Sequence, residues 1–158
     1  MIRIGQGYDA HRFKEGGQLV LGGVHIDYSR SLLAHSDGDV ALHALCDALL
    51  GAAGKGDIGR HFPDTDQQFK GVDSRILLRA VHARIMDDGF RVGNVDLTLV
   101  AQKPRLAPYI AVMCACIAED LQIDVGQVNV KATTTEGMGF EGRGEGISAY
   151  AVALIERA

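Results

Sequence analysis

Hydrophobic and polar positions divide the chain into segments of two different periods. Residues 2 to 11 and 18 to 28 read as strands, the second run interrupted at Gly22-Gly23, where a hairpin or bulge is expected. From Asp39 to Gly51 the chain is apolar around nearly its whole circumference, the pattern of a helix buried in a core, here predicted over about 38 to 53. Gly54-Lys55-Gly56-Asp57-Ile58-Gly59 and Phe62-Pro63-Asp64-Thr65-Asp66 follow as turn-rich loops, the second a candidate for mobility. A second helix is predicted from Ser74 to about Asp88, with Ile76, Leu77, Ala80, Val81 and Ile85 as its apolar positions. Alternation at Val92, Val95, Leu97, Leu99 and Ala101 marks a strand over 91 to 102. A third helix spans about Leu106 to Leu121, with Pro108 in its first turn, where proline is tolerated. Val128 to Ala132 is a strand, and β-branched content with preceding glycines favours another from Ile147 to Ile155. Interleaved strands and helices with a hairpin place the chain in the α+β class: a mixed β-sheet covered by helices.

Composition narrows the functional classes. The 158 residues, 47% of them hydrophobic, suit one domain over 1–158 with a substantial core. No apolar run approaches the roughly 20 residues of a membrane span, and the amino terminus reads as a strand rather than a signal peptide. The expectation is a cytoplasmic protein without membrane association. Cys46, Cys114 and Cys116 sit in helical patterns without metal-type spacing, so they are read as buried, reduced thiols. A net charge of −4, five Phe, four Tyr and no basic run argue against a nucleic-acid surface. Phosphates could still be bound locally, by metals, backbone N–H groups and a few placed cations.

The candidate chemistry begins at Asp9-Ala10-His11. Side chains alternate along a strand, so Asp9 and His11 point the same way and can grip one ion. His43 would complete an Asp/His/His set, and zinc held by three protein groups keeps a fourth position for water or substrate. His43 also lies in a stripe with Asp39 and Asp47 at four-residue steps on the buried helix. That stripe admits a self-satisfied Asp/His/Asp hydrogen-bond ladder, a metal site, or a mixture in which His43 binds the ion and an aspartate orients its other ring nitrogen. Ser36 or Asp37 is the expected helix cap.

A second candidate follows the Val128 strand. Gly137-Met138-Gly139-Phe140-Glu141-Gly142 matches a dinucleotide-binding fingerprint in spelling only, because Gly144 and Gly146 would break the helix that the fingerprint must open. A strand-end phosphate site fits the residue types better. Thr133, Thr134 and Thr135 offer hydroxyls and N–H groups, Glu136 an oxygen ligand for a hard cation, and Arg143 an anion clamp. The alternative is a solvated glycine loop with a surface Glu and Arg.

Together, Gly7-Tyr8-Asp9-Ala10-His11, Leu33-Ala34-His35-Ser36-Asp37-Gly38-Asp39 through His43, Gly56-Asp57-Ile58-Gly59, Phe62 to Asp66, Lys131 to Glu136 and Gly142 to Gly146 closely resemble the 2-C-methyl-D-erythritol 2,4-cyclodiphosphate synthase family of the non-mevalonate isoprenoid pathway. The resemblance runs through essentially the whole chain. It implies a metal-dependent phosphorus–oxygen lyase: the 2-phosphate of 4-diphosphocytidyl-2-C-methyl-D-erythritol 2-phosphate attacks the β-phosphorus of its own diphosphate and CMP leaves. It also implies a homotrimer with active sites shared between neighbours, and admits an isoprenoid diphosphate on the trimer axis. Asp9, His11 and His43 would hold Zn²⁺ or a similar ion, and Glu136 would help a Mg²⁺ or Mn²⁺ bridge the diphosphate.

Further roles follow from the same resemblance. His35 and Thr134 match transition-state-stabilising positions, and Ser36 lies beside the phosphate. Asp57, Ile58 and Gly59 match the stretch that holds the methylerythritol, and Phe62, Pro63, Asp64, Thr65 and Asp66 the loop over it. Ala101, Gln102, Lys103, Pro104, Arg105, Leu106 and Ala107 match the cytosine segment, with Thr133, Phe140 and Arg143 completing the pocket; Ala10 and Thr135 flank the ligand residues. Gln6 stands where the family often has His, and Lys103-Pro104-Arg105 varies the cytosine segment. Two other readings compete: a metal-dependent phosphohydrolase of a nucleotide-linked substrate, and a non-catalytic trimeric nucleotide-binding regulator. His25, His61 and His82 lack motif partners and are read as surface or structural.

Overall fold

A computed structural model describes residues 1–157. Strands β1 (Ile2–Glu15), β4 (Arg30–Leu32), β5 (Phe90–Val100), β6 (Val128–Thr133) and β7 (Gly146–Arg157) form one mixed sheet in the order β4-β1-β7-β5-β6. Only β5 and β6 run parallel. Strands β2 (Leu19–Leu21) and β3 (Val24–Ile26) make a separate hairpin turning at Gly22-Gly23. Helix α1 (Val40–Ala52) packs across β1 and β7, α3 (Ser74–Asp87) against α1 and β5, and α4 (Ile110–Leu121) against β6. The short helices α2 (Ile58–His61) and α5 (Gly139–Gly142) sit in the two glycine-rich stretches.

The core forms between the helices and one face of the sheet. Leu42, Leu45, Leu49, Leu97, Leu99, Ile147 and Ile155 are fully buried there. On the other face Ile2, Ile4, Tyr8, Tyr150 and Val152 lie open, with the Tyr8 and Tyr150 rings 5.0 Å apart. The helices therefore cover one face of the sheet, not both. No helix among the described residues is long and apolar enough to cross a membrane.

Two glycines decide how closely α1 approaches β1. A Cβ at Gly7 would stand 1.8 Å from the Ala44 carbonyl oxygen, and one at Gly5 would stand 2.0 Å from that of Ala48. Only glycine permits this backbone-to-backbone contact. The start of α1 is fixed as firmly: the buried Asp39 carboxylate accepts from Leu42 N at 3.0 Å, Gly22 N at 2.9 Å and Gly23 N at 2.8 Å. The cap is thus Asp39, not Ser36 or Asp37. It outcompetes them because one carboxylate there serves both the helix end and the hairpin turn.

Other boundaries shift for local reasons. Pro108 stands in a 3₁₀ turn, Ala107–Tyr109, so the third helix becomes regular only at Ile110. In α3, Ile76 is 52% exposed while Leu78 is buried, a rotation of the apolar face from that expected. Strand β4 is only three residues long and pairs with the end of β1, too short for its alternation to stand out. Cys46 is buried, whereas Cys114 and Cys116 are half-buried; burial raises all three thiols above their usual range.

Candidate active site

Strand β1 delivers Asp9 and His11 to the α1 side of the sheet, and α1 delivers His43 to meet them. Asp9 Oδ2 lies 3.0 Å from His43 Nδ1 and 3.1 Å from His11 Nε2. One donor atom from each residue falls within 4.8 Å of the others, the span of a shared cation. His11 Nε2 is buried beside the Asp9 carboxylate but, among the described residues, has no hydrogen-bond partner of good geometry. An orphaned buried nitrogen beside a carboxylate and a second imidazole is a donor set that a divalent metal satisfies.

The charges are tuned to one another. Burial acts to raise the Asp9 carboxyl, but the imidazoles of His11 and His43 outweigh it and hold it at about 2. Burial likewise opposes charge on His43, yet the Asp9 carboxylate prevails and raises it. Asp39 is pushed up to about 6 by burial and by neighbouring Asp37, against three lowering backbone N–H donors.

Neither aspartate of the expected stripe bonds the His43 ring through its carboxylate. Asp39 caps α1, and Asp47 accepts from Ile58 N at 2.7 Å, anchoring α2 instead. The ladder reading is therefore replaced. The outer ring nitrogen, His43 Nε2, meets Ser74 Oγ at 2.8 Å and Ser36 Oγ at 3.1 Å, and Ser74 donates onward to Asp37. An aspartate does stand behind His43, but through a serine from α3. The residue pattern marked Ser74 only as a helix start; nothing in its spacing tied it to His43.

Beside the triad opens a cavity of about 340 Å³, lined by Asp9, His11, His35, Ser36, His43, Ile58, Gly59, Phe62, Pro63 and Asp64, by Asp47 of the α1 stripe, and by Phe69, Val72 and Leu77, which sequence reasoning did not single out for the site. The loop over it is pinned at several points. His35 Nε2 bonds the Asp66 carbonyl at 3.0 Å, Phe62 stacks edge-on against Phe69 at 5.3 Å, and the Arg84 guanidinium sits 4.7 Å above the Phe62 ring. Asp57 and Asp66 are used as caps, accepting from Arg60 N and Gln68 N, and neither lines the cavity, nor do Ala10 and Thr65.

The remaining candidates gather elsewhere at the same end of the sheet. Ala10 pairs with Ser148, Ser148 with Val100, and Val100 with Thr133, so one row crosses β1, β7, β5 and β6. Three strand spacings put Thr133 about 14 Å from Ala10. Ala101 N donates to the Thr133 carbonyl at 3.0 Å, and Gly137 N to Gln102 Oε1 at 3.2 Å, which joins the 101–107 segment to the 133–143 loop. Glu136 is exposed, with a left-handed φ of 56°, its N–H held by Thr134 Oγ1 at 3.2 Å; Arg143 pairs with Glu145 at 2.7 Å. Lys103 to Ala107, Thr133 to Glu136, Phe140 and Arg143 do not line the cavity beside the triad in this chain.

Comparison with known proteins gives a consistent picture. Residues 2–156 match the YgbB family. The chain is 70% identical over 157 residues to the 2-C-methyl-D-erythritol 2,4-cyclodiphosphate synthase of Methylococcus capsulatus, covering 99% of each chain. It is 68% identical over 154 residues to the enzyme of the same name from Azotobacter vinelandii, covering 98% of each. A solved structure of IspF from Plasmodium falciparum in complex with CDP superposes with a TM-score of 0.86 at 37% identity, over 99% of this chain and 96% of that one.

Proposed function

We propose a mechanism for this chain from the premise that it belongs to the YgbB family, as its match over residues 2–156 and its 70% identity to a named synthase show. Its activity is that of the 2-C-methyl-D-erythritol 2,4-cyclodiphosphate synthases it is similar to, the conversion of 4-diphosphocytidyl-2-C-methyl-D-erythritol 2-phosphate to the cyclic diphosphate and CMP. An oxygen of the 2-phosphate bonds to the β-phosphorus as the bond from that phosphorus to the bridging oxygen breaks, and CMP carries that oxygen away. Both reactants belong to one molecule, so the task of the protein is alignment and charge neutralisation, and no side chain need act as nucleophile.

Asp9, His11 and His43 would hold a divalent ion, Zn²⁺ by the nitrogen-rich donor set, and Glu136 would recruit a Mg²⁺ or Mn²⁺. Bound there, such ions supply Lewis-acid charge to the diphosphate oxygens. Ser36 and His35 face the same cavity, placed to meet a phosphate, and the hydrogen bond from His35 to the Asp66 carbonyl couples that position to the overlying loop. Asp57 to Gly59 and Phe62 to Asp66 would enclose the methylerythritol. The cytosine would be read by backbone groups of Ala101 to Ala107 with Thr133, Phe140 and Arg143, while Thr134 stabilises the transition state.

These two halves lie about 14 Å apart across one sheet, a separation that supports sites completed between neighbouring protomers. The open apolar face of Ile2, Ile4, Tyr8, Tyr150 and Val152 supports a homotrimer that covers it. The observation that carries the reading is the convergence of Asp9, His11 and His43 around a buried, unpartnered nitrogen. Incubating the protein with the cytidylyl substrate and Mg²⁺ should release CMP together with a cyclic diphosphate. A linear methylerythritol phosphate in its place would identify a phosphohydrolase and overturn the assignment.

A further inference from the structure

The hydrogens around His43 can be assigned by elimination. Asp37 acts as acceptor at both oxygens: Oδ1 receives Asp39 N at 3.1 Å and Oδ2 receives Ser74 N at 3.0 Å. Ser74 is fully buried, and its hydroxyl has a single hydrogen, which it donates to Asp37 Oδ1. Toward His43 it can therefore only accept, so the 2.8 Å contact requires a proton on Nε2. If Ser74 instead donated to the ring, it would face the Asp37 carboxylate as one acceptor against another. Ser36 Oγ already accepts from Gly38 N and shares the same Nε2–H at 3.1 Å, which leaves its own hydrogen free for the cavity it lines.

The consequence falls on the opposite side of the ring. In the neutral imidazole a proton on Nε2 leaves Nδ1 with a bare lone pair, and Nδ1 is the atom 3.0 Å from Asp9 Oδ2. That atom and the carboxylate are held together by a proton on Nδ1 in the metal-free imidazolium, and a divalent ion can take the place of that proton while Nε2–H stays on Ser74.

We propose that Ser74, oriented by Asp37, is a positioning residue that fixes the tautomer of His43 and thereby sets the affinity of the Asp9/His11/His43 site for its ion. The inference rests on reading that triad as a divalent-metal site. It also gives α3, which contributes no ligand, a part in the site: its first residue orients a ligand on another helix.

The test uses the full-length protein loaded with Zn²⁺, labelled with ¹⁵N-histidine. In the wild-type protein the His43 signals should show Nε2 protonated and Nδ1 metal-bound; the reverse assignment overturns the proposal without any variant. Ser74→Ala should weaken Zn²⁺ about 10- to 100-fold in chelator competition, with unchanged circular dichroism and oligomeric state. Asp37→Asn, which removes the acceptor at Oδ1 or Oδ2, should weaken Zn²⁺ in the same direction. If Ser74→Ala binds Zn²⁺ like wild type while His43→Ala does not bind it, the proposal fails and the metal site stands. If Asp9→Ala and His43→Ala both bind Zn²⁺ like wild type, the metal reading itself fails, and this inference with it.

Discussion

In the triad pocket Asp9, His11 and His43 are 24%, 25% and 12% exposed at their side chains, and two of the three are held by hydrogen bonds from β1, α1 and α3. In the loop after β6, Thr134, Thr135, Glu136 and Arg143 make only short-range bonds, to one another or to residues at most four positions away, and most stand in solvent. Both regions sit at one end of the same sheet. The first is preorganised within a single chain, so it can bind an ion before substrate arrives. The second has its backbone shaped by glycines and its side chains tied only to near neighbours in sequence, so few contacts fix their positions.

Substitution on each side should sharpen that contrast. His43→Ala or Asp9→Ala should remove the triad metal and several kcal/mol of charge stabilisation, lowering turnover about 10³-fold or more with the fold intact, measured by metal analysis beside the product assay. Glu136→Gln should lower turnover about 10²-fold and leave the triad metal in place. Loss of that metal from Glu136→Gln would show that the two regions are one unit before substrate binds.

Gly7→Ala probes what preorganisation rests on. The added Cβ would collide with the Ala44 carbonyl, so unfolding in urea should show a loss near the upper end of about 1–3 kcal/mol. Metal affinity should fall along with stability, since α1 carries His43. A stable Gly7→Ala protein with wild-type affinity would show that the α1–β1 spacing does not govern the site.

The smallest effect concerns the metal-free protein. Asp9 is held at about 2, below its ordinary value, so its contribution to stability is complete above about 4 and is lost as pH falls through about 2. His43 is raised, so its contribution is complete below its ordinary range and is lost as pH climbs through the raised value. Urea unfolding across pH should show both slopes, the acid one on the order of 2 kcal/mol, and Asp9→Asn should flatten both. Retention of both slopes in that variant would place the titrations elsewhere.

Most of this architecture could be read from residue patterns, because strand alternation and the apolar circumference of Asp39 to Gly51 are local properties. The triad was legible for the same reason: Asp9 and His11 share a face by strand geometry, and His43 sits on a helix that must be buried. What the pattern could not reveal depended on distant partners. Asp39 and Asp47 align with His43 along the helix, yet their bonds go to Gly22, Gly23 and Ile58, contacts set by tertiary packing. Ser74 reaches His43 from 31 positions away. The uncovered sheet face was not legible because Ile2, Ile4, Tyr8, Tyr150 and Val152 are residue types that a covered strand face carries just as well.

The contact of Gly5 and Gly7 with α1 bears on how such a site could change over generations. The distance between the ligands on β1 and the ligand on α1 is set by two positions with no side chain, outside the coordination sphere. No residue is smaller than glycine, and any larger one pushes His43 away from Asp9 and His11 in a single step. The spacing of this triad therefore has no gradual route of change through helix packing; the ion preference proposed for it would shift only through Asp9, His11, His43 or the residues around them.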